Sequence, residues 1–114
     1  ERGMGDPRFM EMASRMIYGA KPDEEILRLT RLKDYVSTDT PPTFIWHTME
    51  DELVFIQNSL DFAKVLDNHQ VPWELHTFQH GEHGLSLGTE LTGKIDDRAS
   101  RWLDLMFSWL KVNI

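Results

Sequence analysis

Two short polar clusters carry the side chains with chemistry to offer. One is the acidic run Glu50-Asp51-Glu52; the other is His80-Gly81-Glu82-His83-Gly84, in which an imidazole sits between glycines. A carboxylate bonded to one ring nitrogen of a histidine fixes the tautomer and stabilises the imidazolium. The other nitrogen can then take a proton from a hydroxyl nucleophile and return it to a leaving group. Asp51 and His83 suit these two roles. Gly81 and Gly84 let a tight loop carry the ring, because glycine accepts positive φ and close backbone approach. The histidines also invite a metal reading, since His76, His80 and His83 crowd together with Glu82 and imidazole plus carboxylate suits zinc. The spacing argues against it: His80 and His83 lie in a loop, without the i, i+4 helical placement of a His-Glu-x-x-His site. No metal is expected, and no cofactor, because acid, base and hydroxyl suffice for the reaction. His47 reads as a strand-end residue and His69 as a solvated helix end, neither with a role.

These side chains need elements that bring them to one place. Ser37-Thr38-Asp39-Thr40-Pro41-Pro42 is a loop kept extended by its prolines. The run Thr43-Phe44-Ile45-Trp46-His47 that follows is β-branched, aromatic and almost continuously apolar, as a buried parallel strand is. Past Thr48-Met49-Glu50-Asp51-Glu52, a helical period puts Ile56, Leu60, Ala63 and Leu66 on one face and ends near Asn68-His69-Gln70. Val71 to Phe78 then alternates, with Val71, Trp73, Leu75 and Thr77 on one side and Glu74, His76 and Phe78 on the other. A final helix is expected from Asp96 or Asp97, with Ala99, Trp102, Leu103, Met106, Trp109 and Leu110 as its packing stripe. Trp46 and Trp73 read as sheet core.

Strand, helix, strand, helix is the βαβα order of an α/β fold with a parallel sheet. Loops leaving the carboxyl ends of parallel strands line one edge, so Asp51 and His83 should meet there. Upstream, Asp6 and Pro7 suit the start of a helix that Gly19 stops. Its Phe9, Met10, Met12, Met16 and Ile17 read as core packing. A second short helix should follow Pro22-Asp23-Glu24-Glu25, turning Ile26, Leu27 and Leu29 inward. Both helices read as peripheral to the strands.

Composition excludes several function classes. The 114 residues suit one domain or part of one. Twelve Lys and Arg against 19 Asp and Glu leave a net charge of -7, the wrong sign for neutralising phosphates, so neither nucleic acid nor anionic membrane is an expected partner. With no cysteine there is no disulfide, thiolate metal site or thiol nucleophile. No apolar run approaches a membrane span, and Glu1-Arg2-Gly3-Met4 lacks the order of a signal peptide. A cytoplasmic location is therefore the default expectation.

The wider context of the two clusters is more specific. Pro41-Pro42-Thr43-Phe44-Ile45-Trp46-His47-Thr48, then Glu50-Asp51-Glu52-Leu53-Val54 and Asn58-Ser59-Leu60, and later Val71 to Phe78 and Gly81-Glu82-His83-Gly84-Leu85-Ser86-Leu87, together resemble the C-terminal part of α/β-hydrolase esterases. The resemblance is greatest to the bacterial acetyl-esterase and xylan-esterase-like members, grouped with lipases and dienelactone hydrolases, and covers roughly residues 20–110. It implies the C-terminal portion of that fold, parallel strands with flanking helices in three α/β/α layers. It also implies a serine carboxylic-ester hydrolase acting on small acetyl, short-chain or xylan esters. The family's triad acid falls on Asp51 and its base on His83, with Glu50 as the acid should the match be one position off. Where members have proline after the valine, this chain has Phe55.

The family's nucleophile elbow and oxyanion loop would lie before Glu1. The chain is therefore expected to be one partial domain, a helical segment over 1–36 and a βαβα unit over 37–114, inactive by itself. Gly84-Leu85-Ser86-Leu87-Gly88 matches Gly-x-Ser-x-Gly by letter only, because an elbow follows a strand, opens a helix and precedes both acid and histidine. Two other functions compete: an inactive hydrolase-derived module that binds a partner, and a peptidase of the same fold. A two-stranded sheet leaves open edges, so a homo-oligomer or association with an N-terminal half is expected to cover them.

Overall fold

The computed structural model describes residues 3–19 and 22–114; residues 1, 2, 20 and 21, which the expected 1–36 helical segment includes, lie outside the described residues. Helix α1 spans Pro7–Tyr18 and α2 spans Glu24–Leu29. Then come β1 (Thr43–Thr48), α3 (Gln57–Asn68), β2 (Trp73–Phe78) and α4 (Trp102–Asn113), which supply the expected βαβα order.

β1 and β2 pair in parallel, Thr43 opposite Trp73 through Thr48 opposite Phe78. The pairing extends beyond both ends, since Thr43 N–H donates to the Pro72 carbonyl at 2.9 Å and Met49 N–H to that of Phe78 at 2.8 Å. Val71 and Pro72, read as strand, precede β2 instead: Val71 N–H closes the end of α3 on Leu66 O at 3.0 Å, so its donor is spent on the helix.

Alternation along β1 divides the sheet's two faces. Ile45 packs with Phe62 and Val65 on a cluster of Val36, Leu66 and Val71, and helix α3 contacts both strands. Phe44 and Trp46 are on the opposite face, where their rings meet Trp109 and Trp102 of α4 at 5.7 and 5.2 Å between centroids. The result is helix, sheet, helix, the three-layer arrangement of the α/β-hydrolase fold. Leu66 is fully buried, contributing about 2–3 kcal/mol by its removal from water.

Several expected faces differ. Ser59, Phe62, Ala63 and Leu66 form the inward stripe of α3, at i, i+3, i+4 and i+7, while Leu60 is exposed. Trp73, expected in the sheet core, is 39% exposed at the start of β2 and bonds Asp67 through its indole N–H. α4 begins at Trp102, because Asp96 Oδ1 accepts from the amides of Arg98 and Ala99 and thereby starts a 3-10 turn over Ala99–Arg101. Caps of α1 fall where read: Asp6 accepts from the amides of Arg8 and Phe9, and Gly19, at φ 73°, returns its N–H to Arg15 O. Its Met10, Met12, Met16 and Ile17 are exposed, as are Leu27 and Leu29 of α2, so these faces are not core among the described residues. No described helix is long and apolar enough to cross a membrane.

Candidate active site

The two polar clusters converge where the strands end. Asp51 lies just beyond β1 and is buried, with 6% of its surface accessible. Its carboxylate organises its own loop: Oδ1 accepts from the amides of Leu53 at 3.0 Å and Val54 at 2.9 Å, an Asx turn that fixes the side chain by its own backbone. This leaves Oδ2 to face the next loop. There it accepts from Nδ1 of His83 at 2.8 Å. Burial works against the charged carboxylate, but the Val54 amide, His83 and the Leu53 amide together outweigh it and hold the Asp51 pKa below the ordinary aspartate value.

The loop carrying His83 is shaped by what it passes. Gly81 has φ 130°, and a Cβ there would lie 2.5 Å from Leu85 Cδ1 and 2.9 Å from Thr48 Cγ2. Only glycine lets the chain run so close to the end of β1. The Thr48 hydroxyl donates to the Gly81 carbonyl at 2.6 Å and ties that strand end to the histidine loop. Gly84, at φ 81°, turns the chain back after His83. The ring is held through Nδ1 and by Phe9 of α1, 5.5 Å away between centroids, while its side chain keeps 40% of its exposure. Nε2 has no hydrogen-bond partner among the described residues. A cavity of about 350 Å³ opens beside the ring, lined by Trp46, His47, Thr48, Asp51 and Ser86 among others.

An orienting acid, an imidazole whose tautomer that acid sets, and a free ring nitrogen at an open cavity are what general base chemistry on a hydroxyl requires. Glu50, the substitute acid of the sequence reading, is turned elsewhere. It accepts from His80 Nδ1 at 2.7 Å and from the Gly81 amide at 3.1 Å, and these contacts, His80 foremost, lower its pKa at the surface. The remaining members of the histidine cluster also disperse, His76 to Glu74 and Glu82 to Lys94. Among the described residues no three such side chains gather in a way that could hold a metal ion. Ser86 follows no strand and opens no helix; it sits in a turn at φ 53°, where its carbonyl accepts from the indole N–H of Trp102 at 2.8 Å.

Two participants escaped the sequence reading. Helix α1 reads from its sequence as peripheral, yet the residues that lead into it are stitched to the Asp51 loop: Asp6 N–H donates to Leu53 O, Phe55 N–H to Met4 O, and the Asn58 amide to Met4 O. Gly5 makes room for this, since a Cβ there would lie 2.5 Å from Leu53 O. His47, assigned no role, has Nε2 3.3 Å from Asp51 Oδ2. Its signal in the sequence was a single polar residue closing an apolar strand run.

Comparison with known proteins places the chain within a class. The prolyl oligopeptidase family profile matches residues 6–113, and the chain belongs to that family. The acetyl ester-xyloside bifunctional hydrolase of Caldicellulosiruptor lactoaceticus superposes with a TM-score of 0.79 at 36% identity, over 93% of this chain and 38% of that one. A sugar hydrolase of Lactococcus lactis gives 0.73 at 40% identity, over 80% and 38%. A carboxylesterase of Lactobacillus plantarum gives 0.68 at 34%, over 70% and 31%. The endo-1,4-beta-xylanase B of Butyrivibrio fibrisolvens is 38% identical over 76 residues. The chain spans 12% of that xylanase's length and between 31% and 38% of those three solved chains.

Proposed function

We propose that these residues supply the acid and base of a serine carboxylic-ester hydrolase active on acetyl, short-chain or xylan-type esters. Asp51 orients and His83 acts as general base and then general acid, with the nucleophilic serine and oxyanion donors provided by sequence outside these 114 residues. The observation that carries the reading is the arrangement of the Asp51 carboxylate, Oδ1 held by its own loop and Oδ2 2.8 Å from His83 Nδ1, with Nε2 left open at the cavity. In the reaction His83 Nε2 takes the serine proton as the hydroxyl oxygen attacks the ester carbonyl. The imidazolium, stabilised by Asp51, then protonates the departing alkoxide; water repeats the sequence to release the acid. The carboxylesterase and the acetyl ester-xyloside hydrolase among the structural relatives support the substrate class.

A peptidase of the same fold is the second reading, favoured by the description of the family. Fold and acid–base pair do not choose the acyl group. The sheet's outer edges, unpaired among the described residues, support association with a further part of the protein or with a second copy. The test is the intact gene product treated with a fluorophosphonate probe, followed by turnover of p-nitrophenyl acetate and of a prolyl peptide anilide. Labelling with ester turnover supports the esterase, and labelling with anilide turnover alone supports the peptidase. An unlabelled product would leave a module without this chemistry. The 114-residue chain alone is expected to turn over neither substrate.

A further inference from the structure

We propose that His47 is a positioning residue for the Asp51–His83 pair, a role that rests on the esterase reading above. His47 ends the apolar run of β1 on the sheet face that looks toward α3, and its side chain is 13% exposed. Every polar atom of its ring is engaged. Nδ1 lies 2.7 Å from the Ser59 hydroxyl of α3; Nε2 lies 2.9 Å from the Val54 carbonyl and 3.3 Å from Asp51 Oδ2. Both neighbours of Nε2 are acceptors only, so Nε2 carries the proton. In the neutral ring Nδ1 is then an acceptor, and the Ser59 hydroxyl donates to it.

The oxygen that His47 faces is the one that receives His83. Oδ1 of Asp51 is taken by the Leu53 and Val54 amides, so the His83 donor and the His47 ring edge at Oδ2 decide how the carboxylate is aimed about its remaining freedom. The same N–H also grips the Val54 carbonyl. His47 thus holds the acid turn at its closing residue and sets its polar ring edge beside the carboxylate, and Ser59 fixes the tautomer that does so. A histidine that merely filled space at the strand end would need neither a donor on the Val54 carbonyl nor a ring edge 3.3 Å from Asp51 Oδ2.

The test compares two amides in the full-length gene product. Glutamine at position 47 extends an N–H donor toward where Nε2 stands, whereas asparagine reaches Ser59 but stops short of Val54 and Asp51. For His47→Asn we expect kcat on p-nitrophenyl acetate to fall about tenfold with KM within about twofold, short of the roughly hundredfold that a 1 Å misplacement can cost. His47→Gln should recover kcat to within about threefold of the parent. Equal losses in the two variants, or a loss that falls on KM as much as on kcat, would overturn the proposal. Should His47→Asn fail to accumulate as folded protein, Ser59→Ala removes a single hydroxyl remote from the open ring nitrogen. It should lower kcat about threefold at constant KM, and an unchanged kcat overturns the proposal. His83→Ala in the same assay separates the two levels. If it keeps full activity, the esterase assignment fails and this inference with it. If it is inactive while His47→Asn is normal, only the inference fails.

Discussion

Two substitutions of the same chemical size, Gly81→Ala and Gly84→Ala, should differ sharply in cost because only one glycine has neighbours. Both have positive φ, 130° and 81°, so alanine strains the backbone at either position by about 1–3 kcal/mol. Alanine also restricts the unfolded chain, which returns about 0.4–1 kcal/mol in each case. At Gly84 nothing lies within 4 Å of the added Cβ, and the net cost should be about 1 kcal/mol. At Gly81 the methyl meets Leu85 Cδ1 at 2.5 Å and Thr48 Cγ2 at 2.9 Å. Leu85 and Thr48 are both buried, so the methyl must displace packed side chains, and overpacking adds about 1–3 kcal/mol. Gly81→Ala should therefore be about 2 kcal/mol worse than Gly84→Ala. Urea unfolding of the full-length gene product followed by tryptophan fluorescence, with linear extrapolation to water, measures the difference. Costs within about 0.5 kcal/mol of each other would show that the histidine loop does not run against the end of β1 as described.

Other expectations follow from the same geometry. Glu50→Gln breaks an exposed pair with His80 and should leave ester turnover of the full-length protein within about twofold of the parent, since Glu50 does not orient His83; a collapse of kcat would move the acid's role to Glu50. Asp51 titrates below its ordinary 3.8, so its contribution to stability is complete above that value and is lost as the pH falls through the lower folded pKa. Urea midpoints measured from pH 5 down to pH 3 should accordingly fall less steeply for Asp51→Asn than for the parent, and parallel slopes would contradict the shift. Trp102→Phe keeps a ring against Trp46 but gives up the indole bond to Ser86 O, so it should cost about 1–2 kcal/mol, against about 2–4 for Trp102→Ala. A Trp102→Phe variant as stable in denaturant as the parent would mean that the bond contributes nothing.

Where the determinants are local, the sequence was enough. Asp6, Pro7 and Gly19 bound α1 through contacts within a turn of themselves, and the Asx turn of Asp51 is closed by amides two and three residues on. The βαβ order brings the two loops to one edge, so the meeting of Asp51 with His83 was legible from element order and motif. What was not legible depends on side-chain partners distant in the chain. The methionine face of α1 has the spacing of a packing surface, but spacing does not say whether a partner is present, and that face is open among the described residues. The attachment of Met4 and Asp6 to the Asp51 loop runs through backbone groups, which leave no trace in residue type apart from Gly5. The last helix was expected from Asp96 or Asp97, yet Asp96 caps a 3-10 turn and the α-helix waits until Trp102. His47 reads in the sequence only as a strand-end residue, and its partners Ser59 and Val54 are twelve and seven residues away in the chain.

The central claim is that Asp51 sets the tautomer of His83 for catalysis, and Asp51→Asn in the full-length gene product tests it most directly. Asparagine keeps the size of the side chain. To keep accepting from Leu53 and Val54, however, it must point its NH2 at His83 Nδ1 and His47 Nε2, where donors already stand. His83 would then hold its proton on Nε2 and could not act as a base toward serine. The expected result is a fall in kcat on p-nitrophenyl acetate of about a thousand- to ten-thousandfold, with the fold retained. A variant that stays folded and loses less than about tenfold would contradict the account, since an acid whose loss is so lightly felt does not orient the base.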